Sequence, residues 1–230
     1  MFVPISDDNP LKTISFQYVT VGLILANVAA FVLEQGVGPD SALVASFALV
    51  PNELFAMLSL GGPAPFSNDA LIVSERATLL SYMFMHGDII HLVSNMLFLW
   101  VFGDNVEDAM GHARFLAFYL LCGIAAGLAH AAMMPESAES LIGASGAVSG
   151  VIAAYLMLHP RVSVWVLAFK FIPLRISAGF VLGLWIALQF VMVFAADAGP
   201  TAWWAHIGGL VAGVVLTPLL RRPGATLFGR

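Results

Sequence analysis

Charge is what this sequence has least of. Asp, Glu, Lys and Arg together supply 10% of its 230 residues, whereas soluble domains carry roughly 25%. A chain so poor in charge cannot cover a water-facing surface of ordinary composition, and 60% of it is hydrophobic. Bilayer is the solvent that makes this composition reasonable. Cysteine is almost missing as well. Cys122 stands alone, which excludes an internal disulfide and a cysteine-based zinc cluster. In its apolar run it reads as a small packing hydrophobe. Basic residues are few, 9 Lys and Arg against 14 Asp and Glu, and form no stripe that would engage nucleic acid. No repeat or low-complexity tract divides the chain, so residues 1–230 are expected to form one domain. A cleavable leader is not expected, because the first apolar stretch follows a mixed polar segment and is long enough to span.

What is present is a succession of long apolar stretches. A spanning helix needs about 20 mostly apolar residues, and helices are expected near 17–35, 88–104, 113–133, 145–159, 178–196 and 202–220. The second is interrupted by His91, Ser94 and Asn95. The fourth is short and stops at Pro160, which cannot continue a helix interior. The expected fold is therefore an all-α polytopic bundle of six transmembrane helices, with its core over 77–220. Residues 36–87 are expected to be a long outer loop, partly interfacial, in which Asn52–Leu60 suits a short amphipathic helix.

Lys and Arg in short loops set the direction of insertion. With both termini cytoplasmic, the inner segments collect Lys12, Arg114, Arg161, Lys170, Arg175, Arg221, Arg222 and Arg230, and the outer segments keep Arg76. Helices two, four and six then run from outside to inside. His91, Ser145 and His206 each fall near the start of one of them, so three chemically useful residues arrive at one depth near the outer face.

Gly143-Ala144-Ser145-Gly146 opens helix four. A serine there needs a base to become a nucleophile, and the amides of a helix N-terminus suit negative charge developing on a carbonyl. Taken alone, the tetrapeptide with Ser149 and Gly150 reads first as a small-residue packing face. Ala147 stands where the nucleophile elbow G-x-S-x-G needs glycine. His206 is the candidate base; Gly209 and Gly213 behind it form a G-x-x-x-G face that brings helix six close to helix four. Its alternative is an interfacial histidine held by Trp203 and Trp204. His91 and Asn95 share a helix face and suit an oxyanion hole, or else a polar clamp between helices. His86 either assists them or is a wet loop residue. The His86–His91 spacing is not H-E-x-x-H, so no metal site is expected. Neither helix four nor helix six carries an acid, so a Ser-His dyad is expected, its imidazole fixed by packing. Asp88, Asp104, Glu107, Asp108 and Asp197 fall at helix ends or loops, where solvated or inner-face roles are expected.

Together these residues resemble the rhomboid intramembrane serine proteases of bacterial type. The resemblance runs from about His86 to Gly213 and rests on His86-x4-His91-x3-Asn95, on Gly143-Ala-Ser145-Gly146, and on Ala205-His206-x2-Gly209-x3-Gly213. The stretch from Asn95 to Asp108 adds to it. The resemblance implies Ser145 as nucleophile and His206 as general base, with His91, Asn95 and the Ser145 amide as the oxyanion hole. It implies no cofactor. Substrates would be the transmembrane segments of single-span membrane proteins, cut in or beside the span after a small residue. The setting would be a bacterial inner membrane, with the site open to the outer side. Two positions depart from the family pattern: Glu75 precedes Arg76 where a Trp-Arg pair is common, and Ser149 replaces a tyrosine that supports the catalytic histidine. A transporter with broken helices is a different reading, and a catalytically dead relative a closer one, although such a relative would normally have lost Ser145 or His206.

Overall fold

The protein is described from a computed structural model at residues 2–38, 41–60, 73–168, 171–195 and 202–229. The chain starts with strand β1 (Phe2–Asp7) and rises through α1 (Tyr18–Val37). Three short helices follow: α2 (Ala42–Ala45), α3 (Pro51–Leu60) and α4 (Glu75–Ser81), the last running into a 3-10 turn, Tyr82–Phe84. Then come α5 (Ile89–Met110), α6 (His112–Met133) and α7 (Ser145–Leu158). Strands β2 (Ser163–Ala168) and β3 (Ile172–Ser177) lead to α8 (Ala178–Val193) and α9 (Trp203–Leu220). Each apolar stretch expected to be helical is a helix, and the Asn52–Leu60 segment is α3.

The chain is an integral membrane protein. Helices α1, α5, α6 and α9 are long and apolar enough to cross a bilayer, while α7 and α8 are shorter apolar helices of 14 and 16 residues. The short α7 is the central helix: Gly146 to Tyr155 is buried without interruption, which is how a helix apolar on every side is accommodated.

Glycines set the spacing around α7. A Cβ on Gly209 would lie 1.9 Å from the Gly146 carbonyl oxygen, and one on Gly213 would lie 2.5 Å from that of Gly150. The two pairs share one offset, so α7 and α9 run parallel with their backbones in contact. On another side, Gly146 faces Ala126 and Gly150 faces Cys122, which makes α6 antiparallel to α7. Cys122 is thus a small buried packing group, as expected.

The fold is mostly helical, as expected, but not all-α. β1, β2 and β3 make an antiparallel sheet in that order, with Val3 opposite Leu167 and Val166 opposite Leu174. Val164, Val166 and Ala168 alternate into the core, the period-2 signal of a half-buried strand. The pattern is short, and its partner strand lies at the far end of the sequence.

Glu107 and Asp108 are also not solvated. Glu107 is 0% exposed and accepts from the Val19 and Thr20 amides (3.0 and 2.8 Å) and from the Thr20 hydroxyl (2.7 Å). It thereby supplies acceptors to the first turn of α1, whose amides have none within the helix. Asp108 accepts from the Lys12, Thr13 and Ile14 amides at 3.1, 2.7 and 2.7 Å. The Asn95–Asp108 stretch therefore serves at its far end to dock the N-terminal segment. Lys12, Arg161, Arg175 and Arg222 cluster with these groups at one end of the bundle; Ser145, His206 and His86 lie at the other.

Candidate active site

The loop before α7 is built for close approach. Gly143 has φ +118°, a conformation that L side chains avoid. A Cβ there would also fall 2.6 Å from the His91 ring. Its amide donates to the Tyr82 carbonyl at 2.9 Å, and the Tyr82 hydroxyl below donates to the Gly123 carbonyl at 2.7 Å. The next amide, that of Ala144, donates to His86 Nε2 at 3.5 Å. Ser145 follows as the first residue of α7, where backbone amides have no helical acceptor.

His206 meets it from the first turns of α9. Its Nε2 lies 2.9 Å from Ser145 Oγ. Its Nδ1 lies 2.7 Å from Gln189 Oε1 on α8, and Gln189 Nε2 donates to the Trp185 carbonyl at 3.0 Å. The second contact fixes which end of the amide faces the histidine: an oxygen accepts from Nδ1–H, so Nε2 carries the lone pair that faces Ser145. Trp203 meets the His206 ring edge to face at 5.7 Å, and Trp185 lies tilted at 6.1 Å. His206 is 7% exposed.

Packing alone therefore does not hold the imidazole. The expectation of an imidazole without a polar orienter is corrected: the orienter is the neutral amide of Gln189, 2% exposed. A search for Asp or Glu passes over it. The available signal is a lone Gln inside an otherwise apolar helix, where a polar group needs a reason. Ser149, at the position of the family's tyrosine, donates to the Ser145 carbonyl at 2.7 Å and so bonds within its own helix.

His91 and Asn95 sit on the first turns of α5. Asp88 caps that helix by accepting from the His91 amide at 2.8 Å. Asn95 is buried and donates to the His91 carbonyl at 3.1 Å, leaving its second amide proton available. His91 is brought against Gly143, and the His86 and His91 rings meet edge to face at 5.1 Å.

His86 is no wet loop residue, being 2% exposed. Burial first, then the neighbouring His91, push its pKa down to about 4, so at neutral pH it accepts the Ala144 amide as a neutral ring. Its backbone amide donates to both carboxylate oxygens of Glu34 at 3.3 Å. Glu34, buried near the end of α1, went unmarked in the sequence because nothing local ties it to a loop so far away.

Seen whole, the geometry joins a hydroxyl, an oriented imidazole, a helix N-terminus and two polar side chains at one buried end of a membrane bundle. Comparison with known proteins agrees with that pattern: the model of the Rhomboid domain matches residues 74–223. The chain belongs to the rhomboid family. Among curated relatives, rhomboid protease GluP of Bacillus subtilis is 31% identical over 163 residues, covering 71% of this chain and 30% of that protein. RHOMBOID-like protein 12, mitochondrial, of Arabidopsis thaliana is 26% identical over 228 residues, covering 92% and 61% respectively. RHOMBOID-like protein 6, mitochondrial, from the same plant is 30% identical over 146 residues, covering 62% and 43%. This rhomboid spans about half the length of the curated relatives it matches. Those relatives are organellar as well as bacterial, so membership of the family is shown rather than of its bacterial type. The rhomboid match takes in α4 to α9 and leaves α1, with Glu34 and the docked N-terminal segment, outside it.

Proposed function

We propose that this rhomboid is an intramembrane serine endopeptidase working through Ser145 and His206. The observation that carries the reading is the 2.9 Å contact between Ser145 Oγ and an imidazole whose other nitrogen is engaged by Gln189. Ser145 passes its proton to His206 Nε2 as Oγ bonds to the scissile carbonyl carbon. The resulting oxyanion faces the Ser145 amide, Asn95 and His91. Collapse of the intermediate breaks the C–N bond, and the imidazolium returns its proton to the leaving amine. Water then attacks the acyl-enzyme by the same route, releasing the acid and restoring Ser145. Gly143, Gly146, Gly209 and Gly213 act by permitting the close approach, and His86 by holding the Ala144 amide. No cofactor enters these steps.

All six apolar helices span in this reading. Both termini face the cytoplasm, and the site opens to the outer side of what is a bacterial inner membrane if the bacterial likeness of Asn95–Asp108 is followed. Substrates are single-span membrane proteins, cut in or beside the span after a small residue. They enter sideways between α5 and α8, where the Phe98 and Trp185 rings lie 6.1 Å apart and the outer faces of α8 are apolar and exposed.

The test uses the pair Ser145 and Ser149, one turn apart on α7. A serine-directed fluorophosphonate should label the purified protein, and Ser145→Ala should lose both label and cleavage of a reconstituted substrate with thermal stability near wild type. Ser149→Ala should keep most of both. His206→Ala should be as inactive as Ser145→Ala, and the double variant no worse, since members of one catalytic unit are not additive. Substantial cleavage by Ser145→Ala would return the binding or transport readings to the front.

A further inference from the structure

At the end of the bundle opposite Ser145 lies a cavity of about 710 Å³ that the proteolytic reading does not use. It is walled by the N-terminal segment, the ends of α5 and α7 and the chain after α9. Lys12, Arg161 and Arg222 line it against one carboxylate, Asp108. That carboxylate is already engaged by three backbone amides, and among the described residues three cations against one carboxylate leave an excess of positive charge.

Two of the cations are held in place. The Arg222 guanidinium lies over Gly111, where a Cβ would come within 2.5 Å of Nη2, and its backbone amide donates to the Ala109 carbonyl at 2.8 Å. Arg161 spends one donor on the Gly229 carbonyl at 3.2 Å and keeps the rest of its fork. Lys12 is exposed at the rim. Its ammonium acts after burial to push the pKa of His159, also in the lining, down to about 4. Cations that only fix the direction of insertion need no common cavity. Here they converge on one of a size typical of small-molecule sites.

We propose that this cavity binds a net-anionic phosphate group, gripped by Arg161, Arg222 and Lys12. Forked guanidinium donors match phosphate oxygens in pairs. The cavity lies where α1 begins and α9 ends, the level of lipid headgroups. A phospholipid headgroup can reach it from the bilayer, and a free phosphate from the water.

The full chain in nonionic detergent is titrated with dioctanoyl phosphatidylglycerol, dioctanoyl phosphatidylcholine or inorganic phosphate, with the thermal midpoint as readout. The anionic lipid should raise the midpoint saturably and the zwitterionic one should not. Arg222→Gln with Arg161→Gln should weaken the anionic lipid about tenfold or more. Because Arg222 also packs on Gly111, Lys12→Gln with Arg161→Gln, both exposed, is titrated beside it. A cooperative thermal transition without ligand, with its midpoint near wild type, checks that each variant is folded. Inorganic phosphate that reproduces the whole effect would support the site and assign it to a free phosphate. No saturable rise with either anion, or an unchanged response in both variants, would overturn the proposal. Neither result bears on proteolysis, since the readout needs no cleavage.

Discussion

The polar groups around Ser145 are few enough to be followed one at a time. His206 needs Nδ1 protonated if Nε2 is to take a proton, and Gln189 supplies the acceptor that makes it so. Gln189→Leu strands a buried N–H, at a cost of about 1–3 kcal/mol. Placed on the barrier, that is roughly a 5- to 160-fold loss in kcat. KM should stay near wild type, and Gln189→Glu, which keeps an acceptor oxygen, should recover much of the loss. An equal fall for Leu and Glu, accompanied by a lower thermal midpoint, would mean that Gln189 only packs. His86 provides a pH test. Its folded pKa, about 4, lies below the ordinary 6.5. Between those values the unfolded chain binds a proton that the native chain does not, so stability present above pH 6.5 is lost as pH falls toward 4. The thermal midpoint should drop over that range. His86→Gln should flatten part of the drop, and the remainder is expected because His159 is lowered in the same direction. An identical slope in His86→Gln would remove His86 from the account.

Among the elements, the α7–α9 contact decides whether the site exists at all. Bulky side chains hold helices about 8–10 Å apart, too far for a serine and a histidine on them to share a proton. Gly209 and Gly213 remove that limit by letting backbone meet backbone. Gly209→Ala must push the helices apart, because its Cβ would fall 1.9 Å from a carbonyl oxygen. The cost should be about 1–3 kcal/mol of stability, as for overpacked cores. Fluorophosphonate labelling of Ser145 should fall with it. Gly183→Ala on α8, where a Cβ would meet nothing within 4 Å, should be silent in both measurements. Helix α8 carries two duties at once. It forms one side of the proposed substrate entry, and it also carries Gln189, so parting α8 from α5 by way of Trp185 would disturb the residue that orients His206.

On the scale of the whole molecule, the cluster of Lys12, Arg161, Arg175 and Arg222 and the candidate site occupy opposite ends. If cations mark the cytoplasmic side, reporter fusions at residue 10, in 161–175 and after Arg222 should all report cytoplasm. An outer signal at 161–175 would reverse the orientation and place the proposed phosphate cavity outside. The sequence by itself determined the membrane class and the six helical stretches, because hydropathy over about 20 residues is a local property that bilayer thickness reads directly. It also marked Ser145, His206, His91 and Asn95, since polar groups and glycines inside apolar spans stand out against their surroundings. Other features depended on contacts between distant segments. β1 pairs with β2 across most of the chain, Glu107 caps a helix that begins far upstream, Glu34 reaches His86, and Gln189 reaches His206. Each of these polar partners is chosen by a backbone or ring group that must be satisfied once water is excluded. Which group that is depends on how the helices pack, and only the tertiary structure decides it.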